Sequence, residues 1–79
     1  MNVNPFFDPK WGKVLRKMRN GKGLTEREVG EKFGCSHVAV DKWENGKTPI
    51  SQPILYKLLY IYGYSWDDFL SFLKKETNQ

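Results

Sequence analysis

One cysteine and one histidine among 79 residues leave several chemistries without their reagents. Cys35 has no second thiol in the chain to oxidise with, so an internal disulfide is excluded and a reducing, cytoplasmic compartment is expected. Cys35 and His37 together fall short of the ligand number an ordinary zinc site needs, and no metal or other cofactor is expected. No apolar run is long enough to span a bilayer. The opening MNVNPFFDPK lacks the basic-then-apolar order of a signal peptide, so no membrane partner is expected. Nothing resembles a Ser/His/Asp constellation, and Gly21-Lys22-Gly23 is a turn signal rather than a phosphate-cradling loop. The chain therefore does not read as an enzyme.

Acidic charge is also scarce, and its scarcity is local. The formal net charge is +4. Residues 1–49 carry ten Lys/Arg against six Asp/Glu, whereas residues 50–79 carry three of each. All the excess positive charge thus sits in the first half, an asymmetry that favours a polyanionic partner there. The length allows one domain near the lower limit for a self-sufficient core. An aromatic content of 15% partly compensates, because large rings bury much area per residue.

The most informative stretch is LTEREVGEKFGCSHVAVDKWENG, Leu24 to Gly46. Thr25 and Glu28 have the spacing of a capping box, and Leu24 with Val29 that of a hydrophobic staple; together they set where a helix begins. The helix is expected to reach Phe33 and stop at Gly34. Ser36 is a second N-cap, opening a helix from His37 to Asn45 that Gly46 closes. The Gly34-Cys35-Ser36 connection is as short as a helix-turn-helix requires. Val40 and Trp43 point to one side of the second helix; His37, Val38, Asp41, Lys42 and Asn45 point to the other. A polar stripe on a short helix anchored by its apolar face suits the major groove of a duplex.

These residues resemble the Cro/repressor (XRE-type) helix-turn-helix family, whose pattern is similar to L-T-Q-x-x-L-A-x-x-x-G-V-S-x-x-x-I-x-x-W-E-x-G. The chain matches it at Leu24, Thr25, Gly34, Ser36, Trp43, Glu44 and Gly46, with Val29, Gly30, Cys35 and Val40 as conservative replacements. It departs at Glu26, where the family usually has a phosphate-contacting Gln, and by placing Asp41 on the groove face. The resemblance covers roughly residues 18–70 and implies an all-α, five-helix repressor-like DNA-binding domain with a central helix-turn-helix. It further implies an Arg19–Glu44 ion pair joining the first and third helices, a structural role.

Residues 1–7 read as an arm, with Phe6 and Phe7 packing on the domain, residues 8–75 as the DNA-binding domain and 76–79 as a frayed tail. Asp8-Pro9 starts the first helix, which runs to about Asn20 and turns Trp11, Val14, Leu15 and Met18 to one face. Lys13, Arg16 and Lys17 lie elsewhere on it. They are either a solvated basic face or, as the resemblance implies, phosphate contacts. After a Pro-containing loop, Ser51 or Gln52 opens a fourth helix to Tyr62. Ser65 and Asp68 form another capping box for a fifth helix from Trp66 to about Lys75, with Trp66, Phe69, Leu70 and Leu73 inward. Surplus aromatics remain: Tyr60, Tyr62, Tyr64 and Phe72 are candidates for a homodimer interface, the alternative being that they finish a small core.

As base readers the residue types point to His37, Val38, Asp41 and Lys42. Lys42 can donate to guanine, Val38 can pack on a thymine methyl and Asp41 can accept from a cytosine amine. Asp41 can equally pair with Lys42 or Lys47. His37, if it faces the groove, would make binding rise as pH falls through the mid-range; the alternative is an exposed turn residue. Thr25, Ser36, Asn45 and Lys47 join Lys13, Arg16 and Lys17 as phosphate candidates. The expected partner is double-stranded DNA, read by a two-fold dimer on a palindromic operator with half-sites roughly 34–36 Å apart. No small-molecule ligand is expected, since no sensor domain fits in this length. The resulting expectation is a cytoplasmic, nucleoid-associated transcription regulator, most simply a Cro-like repressor or a restriction-modification controller. The alternative is an antitoxin-like or adaptor protein that uses the same fold to bind protein.

Overall fold

The computed structural model describes residues 9–77. Five α-helices follow one another: α1 Pro9–Gly21, α2 Glu26–Phe33, α3 His37–Glu44, α4 Gln52–Tyr62 and α5 Trp66–Thr77. The fold is all-α. The arm, with Phe6 and Phe7, lies outside the described residues.

Local chemistry accounts for each boundary. At α2 the Thr25 Oγ1 accepts from the Glu28 N–H at 3.0 Å while the Thr25 N–H donates to Glu28 Oε1 at 2.9 Å. These reciprocal bonds satisfy donors that the first helical turn leaves unpaired. Thr25 also holds the Glu28 carboxyl below the usual carboxylate range. Gly34 ends the helix at φ 92°, in the left-handed region that a side chain disfavours. Ser36 caps α3 by accepting from the Ala39 N–H. At its other end the Gly46 N–H donates to Trp43 O and the Lys47 N–H to Lys42 O, the two bonds of a Schellman closure. Ser51 caps α4, and Ser65 with Asp68 forms the reciprocal box at α5.

The core gathers one face from every helix. Val14, Leu15 and Met18 of α1 meet Val29 of α2, Val40 and Trp43 of α3, and Leu55, Leu58 and Leu59 of α4 around Phe69 of α5. Trp11 meets the Phe69 ring edge-on at 5.6 Å, a geometry that aligns ring edge and ring face favourably.

Three expectations are corrected. Tyr62 is a core residue, 2% exposed, and is not available to a partner; it lies on the α4 face shared by Leu55, Leu58 and Leu59. The buried stripe of α5 is rotated toward Phe72, which packs edge-on against Tyr64 at 5.6 Å, leaving Trp66 and Leu70 exposed. Phe72 and Tyr64 are thus partly buried against the core, and of the four interface candidates Tyr60 is fully open at 86% exposure. The last turn also persists past Lys75 to Thr77. Acidic Asp67 and Asp68 at its start and basic Lys74 and Lys75 near its end complement the helix dipole. Glu76, placed in the expected tail, is tied to Lys17 of α1 at 2.7 Å.

Candidate nucleic-acid interface

The geometry of α3 begins from behind. Val40 and Trp43 are buried, and the Trp43 ring leans on Phe33 at 5.1 Å between centroids. Lys57 of α4 closes over the same Phe33, its Nζ 4.5 Å from the ring centroid and 3.0 Å from the Phe33 carbonyl oxygen. With α3 held on that side, His37, Val38 and Lys42 project into solvent. Asp41 is half-buried. The four base-reading candidates therefore share one helix flank, three of them exposed.

Beneath that flank lies the ion pair. Arg19 Nε donates to Glu44 Oε2 at 2.6 Å and Nη2 to Oε1 at 2.9 Å, while Nη1 reaches the Leu24 carbonyl oxygen at 2.9 Å. Both side chains are buried, Glu44 at 3% exposure. The hydrogen bonds to Glu44 raise the Arg19 pKa against the opposing effect of burial. Burial pushes the nearby Tyr62 hydroxyl up, with the Glu44 charge adding to the effect; its oxygen has no hydrogen-bond partner among the described residues.

The α1 cations divide. Arg16 turns to α3: its Nε meets Glu44 Oε1 at 3.3 Å and its Nη2 donates to Asn45 Oδ1 at 2.6 Å. Lys17 instead pairs with Glu76, whose carboxyl it holds below the usual range, Lys13 contributing to the same effect. Of the three, Arg16 is the one whose head group reaches α3, and Lys17 is the one bonded to the end of α5. Thr25, Ser36, Asn45 and Lys47 are exposed, although Thr25 and Ser36 are engaged as caps and Asn45 bonds to both Arg16 and Asp41.

Asp41 pairs with neither Lys42 nor Lys47. Its Oδ1 accepts from Asn45 Nδ2 at 3.0 Å, an i,i+4 contact on one helix face. Glu26 lies close to Glu44: burial first, then the neighbouring Glu44 and Asp41 carboxylates, raise its carboxyl above the usual range. A family Gln would carry no charge in this position, so the departure creates an acidic cluster of Glu26, Asp41 and Glu44 answered by Arg19 and Arg16.

Gly12 belongs to no motif that marks it in the sequence. A Cβ there would lie 2.4 Å from the Glu44 carbonyl oxygen and 2.7 Å from that of Trp43. The absence of a side chain lets α1 lie against the end of α3, and the only sequence signal was an interior helical glycine. Among the described residues no group of three or more His, Cys, Asp or Glu side chains could hold a metal ion, and no helix is long and apolar enough to cross a membrane.

A helix-turn-helix family model matches residues 15–69. The chain is 37% identical over 60 residues to the HTH-type transcriptional regulator PuuR of Escherichia coli K12, a match covering 76% of this chain and 32% of PuuR. The matched region is thus about a third of that relative's length. Among solved structures, the clp gene regulator ClgR from C. glutamicum is similar with a TM-score of 0.80 and 27% identity, over 95% of this chain and 96% of that one. The restriction-modification controller protein C.Esp1396I, solved as a tetramer with its natural 35 base-pair operator, has a TM-score of 0.84 at 21% identity over 96% and 100% of the two chains. That last likeness bears on fold alone.

Proposed function

Because the chain belongs to the helix-turn-helix family, we propose that it is a sequence-specific double-stranded DNA-binding transcriptional regulator, acting as a repressor on a palindromic operator. The observation that carries this reading is the α3 flank: His37, Val38 and Lys42 stand exposed on a helix whose other side is buried through Val40 and Trp43. Base edges are read by side chains held at fixed positions in the major groove, whereas phosphate contacts set register and most of the affinity. Lys42 donates to guanine and Val38 packs on a thymine methyl. Lys47 and Ser36 approach phosphates. The basic half of the chain supplies long-range attraction, and a cytoplasmic site at the nucleoid follows from the partner.

A single half-site gives modest affinity, so the regulator works as a homodimer. Tyr56, Tyr60, Trp66 and Leu70, all exposed on α4 and α5, support this: they offer apolar surface on the half of the chain that carries no net charge to oppose self-association. Tyr56 and Trp66 meet edge-on at 5.5 Å, which joins the two helices into one patch.

Titration of a mixed-sequence duplex at two salt concentrations tests the reading. Counterion release requires a DNA binder to weaken steeply as salt rises. Absence of affinity at low salt would instead favour a protein-binding adaptor, which the Glu26 and Asp41 carboxylates would suit better than they suit a phosphate backbone.

A further inference from the structure

A chain of hydrogen bonds runs from the buried ion pair to the groove flank of α3, and each link dictates the next. Glu44, fixed by two bonds from Arg19, accepts on Oε1 from Arg16 Nε as well. Arg16 is thereby turned toward α3, and its Nη2 donates to Asn45 Oδ1. A guanidinium can only donate, so the Asn45 atom facing it must be the amide oxygen. That leaves the Asn45 Nδ2 pointing the other way, at Asp41, whose carboxylate can only accept. Nδ2 duly bonds Asp41 Oδ1 and the Asp41 carbonyl oxygen, both at 3.0 Å. Asp41 Oδ2 has no hydrogen-bond partner among the described residues. It is an acceptor oxygen whose direction is set by a residue on another helix.

We infer that Arg16 and Asn45 are positioning residues that aim Asp41 Oδ2 at the exocyclic amine of a cytosine in the major groove. The inference rests on the DNA-binding reading above. In the groove, cytosine presents a donor from N4, guanine presents the O6 and N7 acceptors, and thymine presents O4 and a methyl group. A carboxylate repels the acceptors of guanine and thymine. Adenine offers an amine too, but beside the N7 acceptor, so cytosine fits best. A freely rotating Asp41 would turn toward water or the adjacent Lys42 and discriminate poorly. Held by Asn45, it has no such escape, and the base that cannot donate leaves a desolvated carboxylate unpaired. The carboxylate that looked unsuited to DNA becomes a device for choosing one base.

The experiment selects bound sequences from a random duplex pool with the full chain and three variants. Asp41→Asn identifies the position read, by moving its preference from cytosine toward adenine, the base an amide matches. Asn45→Ala and Arg16→Lys should each reduce cytosine enrichment at that same position by about five- to tenfold. The rest of the selected sequence, the affinity for mixed-sequence duplex and its salt slope should stay as in the unsubstituted chain. Lys keeps the charge of Arg16 but cannot make two forked bonds. Uniform loss on every sequence with a shallower salt slope would make Asn45 or Arg16 a phosphate contact and overturn the relay. Unaltered cytosine preference in both variants, or any base but cytosine opposite Asp41, would overturn it equally. Steep salt dependence with Asp41→Asn unchanged sinks the relay alone; binding that ignores salt sinks the DNA-binding reading and the relay with it.

Discussion

Arg19 and Glu44, 25 positions apart, meet through two short bonds of 2.6 and 2.9 Å in the angle between α1 and α3. A forked guanidinium matched to both carboxylate oxygens is the strong form of such a contact, and here it is buried. Removing one partner leaves a charge without its counterpart inside the protein, and that penalty exceeds what the pair itself contributes. Glu44→Gln should therefore destabilise the fold by about 3–5 kcal/mol, a large share of what a domain this size possesses. Thermal or urea denaturation followed by circular dichroism measures it. A loss below about 1 kcal/mol would mean that the pair is solvated like a surface bridge.

Gly12→Ala sets two effects against each other. Alanine in a helix interior is favoured over glycine by about 1 kcal/mol. Against this, the new Cβ would meet the Glu44 and Trp43 carbonyl oxygens at 2.4 and 2.7 Å, and backbone cannot step aside as a flexible side chain can. Overpacking of this kind costs about 1–3 kcal/mol, so a net loss of stability is expected. A variant that melts higher than the unsubstituted chain would show that α1 and α3 separate freely.

Glu26 gives a pH dependence of defined sign. Its carboxyl is raised in the fold, chiefly by burial and then by Glu44, so the folded state holds the proton more tightly than the unfolded one. The associated stability is complete below the unfolded value of about 4.3 and is lost as pH rises through the higher folded value. At neutral pH the wild-type chain lacks it. Glu26→Gln should then raise stability by about 0.5 kcal/mol at neutral pH, with the gain shrinking on acidification toward the unfolded value. The same variant should bind DNA more tightly, most visibly at low salt, where the removed charge is least screened. Melting curves across that pH range, with a binding titration at each salt, decide both.

Tyr60→Lys and Leu70→Lys test self-association. Each places a charge on the exposed α4–α5 patch without touching the core. Each should shift sedimentation toward monomer and weaken operator binding while leaving stability within about 0.5 kcal/mol. Tyr62→Lys would instead unfold the protein, because that side chain is buried among Leu55, Leu58 and Leu59.

Lys42→Ala should cost about 1–3 kcal/mol against one preferred base and relax specificity there. An equal loss on every sequence would make Lys42 a phosphate contact.

Where the chain turns was legible because turns depend on near neighbours. Thr25 with Glu28, Ser36, Gly34, Gly46, and Ser65 with Asp68 act over three or four residues, and each does in space what its spacing implied. The exposed flank of α3 was readable for the same reason, since helical periodicity puts Val40 and Trp43 opposite Val38 and Lys42. The α5 stripe was misread because Trp66, Phe69, Leu70, Phe72 and Leu73 offer more apolar positions than one buried face holds, and periodicity cannot rank them. Tyr62 was misplaced for a related reason: tyrosine suits both a core and an interface.

The linear order of residues thus determined an all-α helix-turn-helix chain with its helix starts, its stops and the outward-facing residues of α3, because all of these follow from interactions within one or two turns. Apart from the Arg19–Glu44 pair, which the family resemblance implied, tertiary packing decided which cation serves which carboxylate. Arg16 and Lys17 are neighbours on α1, yet one was drawn to Glu44 and Asn45 and the other to Glu76. Charges carry no address in sequence. Their partners are chosen only when α1, α3 and α5 close around Phe69 and fix which head groups can reach each other.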